Sequence, residues 1–270
     1  MISKAEQILL QLQYRERLTS GKSLPTFREV GFSNYSEHDE DGILLYLFAV
    51  LGARSRLSIE IGAGNGVHCN TSNLIVHHGW HGALIDASEK NIENGRDFYT
   101  TRRETRIYPP QLICRRVTAE NVNEIVHECG FPSEIDLLSI DVDGIDFWLW
   151  KALECVTPAV VVVEYQDILG PDRSWVMPYI PTFDWQSEHG TENEDFYGAS
   201  LAAFVKLGRQ KGYRLVGCNM YGFNAFFVRE ELKPSILPEL DTRECFTHPK
   251  CLDGMRTRFP SVARHNWIRY

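Results

Sequence analysis

The stretch from Leu57 to Gly66, L-S-I-E-I-G-A-G-N-G, constrains the fold of this chain more than any other segment. A short strand pattern runs into glycines at 62, 64 and 66, and a helical pattern resumes directly behind them. Glycine at alternate positions lets the backbone turn sharply after a strand and approach a ligand where a side chain would collide. About twenty residues further on, the next expected strand ends in Asp86, a position suited to bonding both hydroxyls of a ribose. Strand, glycine turn, helix and a second strand ending in an acid form the opening unit of a doubly wound, nucleoside-binding sheet.

The rest of the chain keeps that rhythm. Strands are expected over residues 57–61, 83–85, 111–117, 135–140 and 159–163, with helices over 66–78, 88–103, 120–129 and 147–156 between them. Such alternation predicts an α/β fold, a parallel sheet with helices on both faces. A helix over 198–211 leads to two more strands, 213–218 and 225–228, joined by N-M-Y-G-F-N, which predicts an antiparallel pair added to the sheet. Residues 1–56 are expected to form a helical cap, because Ile8, Leu9, Leu12 and Leu18 recur at helical spacing and the acids at 39–41 suit a second helix start. The expected organisation is therefore a cap over 1–56, a cofactor-binding core over 57–230 and an irregular tail over 231–270. Residues 166–197 interrupt the pattern with aromatics and no periodicity, and a segment of that length is expected to be a lid or substrate loop.

Composition limits the partners. With 28 Lys plus Arg against 36 Asp plus Glu the chain carries a formal charge of -8, so phosphate backbones are not generally attracted and no nucleic-acid partner is expected. The longest apolar run, residues 43–51, is far short of the roughly 20 residues of a membrane span. The first residues carry charges among the apolar ones and no small-residue cleavage site, unlike a secretory signal. Seven cysteines without a C-x-x-C pair point to reduced thiols and a cytoplasmic protein.

The glycine spacing is G-x-G-x-G, whereas the dinucleotide fingerprint is G-x-G-x-x-G, and Glu60 stands just before it. A carboxylate beside a pyrophosphate is repulsive, while beside a cationic ligand it is favourable. S-adenosylmethionine has no phosphate and carries a sulfonium and an ammonium, so Glu60 tips the expectation toward that cofactor. The alternative is that Glu60 caps or pairs with the protein itself.

Glu60-Ile-Gly62-Ala-Gly64-Asn-Gly66 resembles motif I of class I S-adenosylmethionine-dependent methyltransferases. Ser36-Glu-His-Asp-Glu-Asp-Gly-Ile43 resembles the opening segment of FkbM-like methyltransferases and their bacterial relatives. Gly79-Trp80-His-Gly-Ala-Leu-Ile-Asp86, Ser139-Ile-Asp141-Val-Asp143-Gly144, Val163-Glu164-Tyr165 and Phe196-Tyr-Gly-Ala-Ser200 are similar to segments of the same relatives. The resemblance covers roughly residues 36–231. It implies a Rossmann-like methyltransferase fold with a seven-stranded, mostly parallel sheet whose last strand is antiparallel. It also implies a methyl donor at Gly62, Gly64 and Gly66 with Asp86 on the ribose, Glu120 near the adenine and Asp141 beside the methionine end.

Ligands of a doubly wound sheet bind outside the carboxyl ends of its strands. Asp141, Asp143 and Asp146 follow the fourth strand, and Glu164 and Asp167 end the fifth. Clustered carboxylates cannot all ionise freely, and a hard cation such as Mg²⁺ on Asp141, Asp143 and Glu164 would neutralise them and hold substrate oxygens. Catechol-type methyltransferases use acids at these strand ends in that way. The competing expectation makes Asp143 or Asp146 an N-cap of the following helix. Candidates for a general base are Glu164, Asp143 and His189, the last lying in the long loop near Asp184 and Glu188. The expected activity is methyl transfer to a small-molecule acceptor, at oxygen before nitrogen. An NAD-dependent oxidoreductase and a non-catalytic nucleoside-binding module are the alternatives.

Overall fold

Nine strands are present in the computed structural model, which describes residues 2–270: β1 (Leu57–Ile61), β2 (His81–Asp86), β3 (Gln111–Cys114), β4 (Glu134–Ile140), β5 (Thr157–Glu164), β6 (Trp175–Val176), β7 (Tyr213–Cys218), β8 (Asn224–Arg229) and β9 (Ile268–Arg269). Seven of them form one sheet in the order β3-β2-β1-β4-β5-β8-β7. Pairing is parallel from β1 to β2 and from β2 to β3. β8 runs antiparallel to both β5 and β7. The expected hairpin is there, but its second strand slots between β5 and β7 and leaves β7 at the edge. No described helix is long and apolar enough to cross a membrane.

Contacts divide the chain into two compact units. The first takes in the chain through Arg116, together with His127–Ser139 and Val156–Ala159; the second comprises Val117–Val126, Ile140–Cys155 and Val160–Tyr270.

In the first unit, helix Glu40–Leu51 is buried on every side from Glu40 to Val50, as its nearly continuous apolar sequence demands. Gly42 is required there, because a Cβ would lie 2.2 Å from the carbonyl oxygen of Val30. The amino-terminal helix Lys4–Thr19 forms where expected but presents the other face. Ile8, Leu9 and Leu12 are exposed, while Gln7 and Tyr14 are buried. Tyr14 packs edge-on against Tyr46, 5.1 Å between ring centroids. The Gln7 amide donates to Asn73 Oδ1 (3.1 Å) and the carbonyl of Ile2, and its Oε1 meets Asn73 Nδ2 (2.9 Å) and His78 Nε2 (2.7 Å). A buried amide with all its groups bonded is tolerated in a core, so this network outweighs the pull of the leucines. The turn entering β1 is held by buried Asp136 of β4, whose carboxylate accepts from the N–H groups of Arg54, Ser55 and Arg56.

In the second unit, Phe147, Trp150, Phe204 and Phe227 pack their rings together, each no more than 1% exposed. The tail is not irregular as expected. It forms helices Pro249–Thr257 and Phe259–Val262, and β9 pairs antiparallel with β6. Pro249 stands in the first turn of its helix, where a missing N–H costs nothing, so a proline is compatible with a helix start here. Cys251 and Val262 are fully buried. Arg214 of β7, 2% exposed, ties the preceding segment down by donating to the carbonyls of Leu237, Arg229, Glu230 and Leu232. The segment over 166–197 is anchored at its start. Trp148 Nε1 donates to the carbonyl of Met177, and Val176 bridges Ala199.

His78 makes the docking of the first helix pH-dependent. Burial, and then the cations His77, Lys4 and Arg56, pull its pKa from 6.5 to about 4. A folded-state pKa below the unfolded value means that unfolding takes up a proton between these limits. The stability it contributes is therefore full above pH 6.5 and is lost as pH falls through about 4. Urea unfolding across that range should show a slope that His78→Gln flattens; an unchanged slope would place the acid sensitivity elsewhere.

Candidate functional site

The glycine turn belongs to the first unit and takes the shape its residues require. Gly62, Gly64 and Gly66 have φ of +85°, +54° and +67°, the left-handed region that other residues enter only with strain. The N–H groups of Gly62 and Ala63 both donate to the carbonyl of Ile85 at the end of β2, at 2.9 and 3.0 Å. Gly64 N–H donates to Asp86 Oδ2 at 2.9 Å, while Asp86 Oδ1 accepts from Ser88 N–H and Asn91 Nδ2 at 2.8 and 3.2 Å. Asp86 thus joins the glycine turn to the start of helix Glu89–Thr101, whose N-cap is Ser88. Each carboxylate oxygen has two lone pairs, so these bonds leave acceptor capacity for a ribose hydroxyl. A Cβ built on Gly64 meets nothing within 4 Å, so the turn is open on that side.

Behind the turn, Tyr99 and Ser72 hydroxyls both donate to the carbonyl of Gly66, at 2.5 and 2.8 Å. Gly95, on the same helix as Tyr99, lets that helix close on the turn, since a Cβ there would lie 2.8 Å from Asn65 O. Neither Tyr99 nor Gly95 belongs to a motif; only their i, i+4 placement on one helix face marks them.

Glu60 corrects the expectation placed on it. Its carboxylate is 2% exposed and accepts from Asn70 N–H (2.8 Å), Thr71 N–H (2.9 Å) and Thr71 Oγ1 (2.5 Å). Glu60 therefore holds the chain that enters helix Ser72–His78 and is not turned toward a ligand. The helix expected from residue 66 accordingly starts at Ser72, with residues 66–71 forming the turn that Glu60 caps. Asn70 continues this network to Ser139 Oγ at 3.0 Å.

In the second unit, Asp141, Asp143 and Glu164 bring carboxylate oxygens within 4.8 Å of one another. The connection between them is tightly made. Asp146 is 1% exposed and accepts from the N–H groups of Val142 (2.8 Å) and Gly144 (2.9 Å), folding the loop after β4 back on itself. Asp146 is thus a loop clasp in the first turn of helix Asp146–Ala152, whose N-cap position is Ile145; neither Asp143 nor Asp146 is the N-cap. Asp143 has φ +52°, unusual outside glycine but tolerated by Asp, and Gly144 makes room for the Phe183 ring. Burial, and then Asp141, Asp143 and Asp146, push the Glu164 carboxyl well above its ordinary range, with Lys250 pulling the other way. Burial likewise raises Asp146 to about 6. The Tyr197 phenol is also pushed up, first by burial and then by the charges of Glu164 and Asp143. Sequence reasoning gave Tyr197 no role of this kind.

Two expected site residues lie in other company. Glu120 is exposed and accepts from the Tyr179 hydroxyl at 2.6 Å, which pins the long segment to the loop after β3. His189 is exposed, pairs through Nδ1 with Glu194 Oε1 at 2.8 Å and rests against the Trp185 ring. It is not part of the acid cluster.

No protein-family model and no curated protein matches this sequence. Similar solved structures include a magnesium protoporphyrin IX methyltransferase from Synechocystis PCC 6803 with bound SAM, at 14% identity and a TM-score of 0.44 over 70% of this chain and 77% of that one. An O-methyltransferase family protein from Burkholderia thailandensis gives 13% identity and 0.44 over 85% and 72%. An O-methyltransferase from Bacillus cereus in complex with SAH gives 13% and 0.42 over 80% and 89%. At such identities and scores, a functional reading rests on this chain's own residues.

Because Asp86 accepts three hydrogen bonds within the protein, Asp86→Ala should destabilise the free chain by about 1–3 kcal/mol. Asp86→Asn, which keeps one acceptor oxygen, should lose less. Urea unfolding checks the order; equal stability of all three proteins would show that the clamp contributes nothing.

Proposed function

We propose that this chain is an S-adenosylmethionine-dependent methyltransferase acting on an oxygen of a small molecule. The observation that carries the reading is the glycine turn, three left-handed glycines closed onto Asp86 at the end of β2 and open beside Gly64. Such a turn accepts a nucleoside, and its G-x-G-x-G spacing departs from the dinucleotide pattern. In this reading Gly62, Gly64 and Gly66 let backbone approach the ligand and Asp86 takes a ribose hydroxyl on the acceptor site its internal bonds leave open. Glu120 is assigned to the adenine and Asp141 to the methionine end. Glu60 contributes indirectly, by holding the shape of the turn. The bound donor supplies an electrophilic methyl group on a sulfonium.

The acids of the second unit fit a divalent cation. Oxygens sharing an ion at about 2.0–2.6 Å sit no more than about 4–5 Å apart, which the Asp141–Asp143–Glu164 cluster meets. Burial first, and then repulsion from Asp141, Asp143 and Asp146, raises the Glu164 carboxyl, and a cation would relieve the repulsive part. Mg²⁺ there would supply charge neutralisation and a fixed place for acceptor oxygens. Should no cation bind, Glu164 becomes the preferred base: a carboxyl with a raised pKa accepts a hydroxyl proton more readily near neutral pH than an ordinary carboxylate. Asp143 comes second, and His189, exposed and held by Glu194, comes third. Most of the rate gain would come from alignment of acceptor and methyl, a term reaching roughly 7–11 kcal/mol.

Calorimetry separates the cofactor readings. S-adenosylmethionine or its demethylated product should bind, NAD should not, and Asp86→Ala should weaken the former about tenfold or more. Binding of NAD alone would reverse the assignment to an oxidoreductase, and binding of neither would leave a fold without this cofactor. The cation is tested independently by melting the protein with and without Mg²⁺. A rise in melting temperature with Mg²⁺ that Glu164→Gln abolishes supports the site; no rise in the unmodified protein removes the metal and leaves the cofactor reading intact.

A further inference from the structure

At the other end of β1 and β2 from the glycine turn, the first unit holds a cavity of about 90 Å³ bounded by Gln11, Arg15, Phe48, Arg56, His78 and Trp80. A water needs about 10–15 Å³ of such space, so there is room for several waters or one ion of four oxygens. Its chemistry is one-sided. Two arginines line it and no carboxylate does. Among the described residues neither the Arg15 nor the Arg56 guanidinium has a hydrogen-bond or ion-pair partner. Every charge that acts appreciably on His78 is cationic, coming from His77, Lys4 and Arg56. Two aromatic rings join the otherwise polar lining: Phe48 and Trp80, 3% and 6% exposed, meet edge-on at 4.6 Å between ring centroids. Arg15 and Arg56 are both exposed, so an ion would reach them directly from solvent.

The placement of Arg56 is costly and therefore informative. Its φ of +54° is a left-handed conformation that a long side chain adopts only when its surroundings force it. The force is visible. Asp136, 2% exposed, accepts the N–H of Arg56 at 2.5 Å, along with those of Arg54 and Ser55, and the carbonyl of Arg56 accepts from His81 N–H at 3.0 Å. A glycine would satisfy the same backbone without strain. The chain instead has an arginine there, its backbone N–H bound to the Asp136 carboxylate and its side chain lining the cavity with a fork of donors suited to oxyanions.

We propose that this cavity binds a small tetrahedral oxyanion of the phosphate type, free or as a monoester, between Arg15 and Arg56. Gln11 adds an amide donor to the same wall, four residues before Arg15 on helix Lys4–Thr19. The site is separate from the glycine turn and does not depend on the proposed methyl transfer.

The test is calorimetry of the full chain in chloride buffer with inorganic phosphate and, in a second arm, glycerol 3-phosphate. The unmodified protein should bind at least one of them saturably. Arg15→Gln and Arg56→Gly should each weaken binding about tenfold or more, the loss expected of a charge-assisted contact. Arg56→Gly should melt no lower than the unmodified protein, because glycine relieves the strained φ, so loss of binding in that variant is not loss of fold. Tighter binding of the ester identifies a monoester as the ligand, and tighter binding of phosphate identifies the free ion. Absence of saturable binding in both arms, or equal binding by both variants and the unmodified protein, overturns the proposal.

Discussion

The hydrogen bond from Gly64 N–H to Asp86 Oδ2 joins the end of β2 to a turn that would otherwise have no reason to stay left-handed at three alternate positions. A glycine-rich turn loses more conformational entropy on ordering than any other, so it needs fixed partners to persist without a ligand. Asp86 supplies one and the carbonyl of Ile85 supplies two more. Tyr99 and Ser72 then hold the carbonyl of Gly66 from behind. The turn is pre-organised, and a ligand that binds it does not have to meet the cost of ordering it.

Buried carboxylates are used for the same purpose elsewhere in the molecule. Glu60 collects the N–H groups that open helix Ser72–His78, Asp136 collects those that lead into β1, and Asp146 clasps the loop after β4. In each case a charge taken out of water is compensated by backbone N–H groups, which makes the carboxylate tolerable and the loop single-valued. The acids Asp141, Asp143 and Glu164 differ, because they lie close together and, on top of burial, raise the cost of ionising Glu164. Three structural carboxylates lower the freedom of their loops; the fourth group concentrates negative charge at one strand edge.

The same contrast explains the two cationic environments. Arg214 is buried against four backbone carbonyls, so four of its five donors serve structure. Arg15 and Arg56 border open space with their donors unengaged among the described residues. A buried arginine that binds carbonyls stabilises a tail, whereas arginines around a cavity attract a ligand with oxygens of its own.

The sheet and its glycine turn are legible in the chain alone, because strand, turn and helix are local patterns: L-S-I-E-I, then G-x-G-x-G, then an acid at the end of the next strand. The juxtaposition of Asp141, Asp143 and Glu164 also follows from local pattern, since the first two stand just after β4 and the third ends β5, its neighbour in the sheet. What tertiary structure alone decided is which groups each polar side chain meets. Ile8, Leu9 and Leu12 read as the inner face of the first helix, but Gln7 found partners in Asn73 and His78, more than sixty residues away, and took that place. Glu60 read as a ligand contact, yet the chain ten residues later bent back to occupy it. Residues 231–270 read as an irregular tail, yet Pro249 opens a helix with Cys251 buried, and β9 pairs with β6. Periodicity is written in neighbouring residues, but hydrogen-bond partners and burial are settled between residues distant along the chain, and no local pattern encodes them.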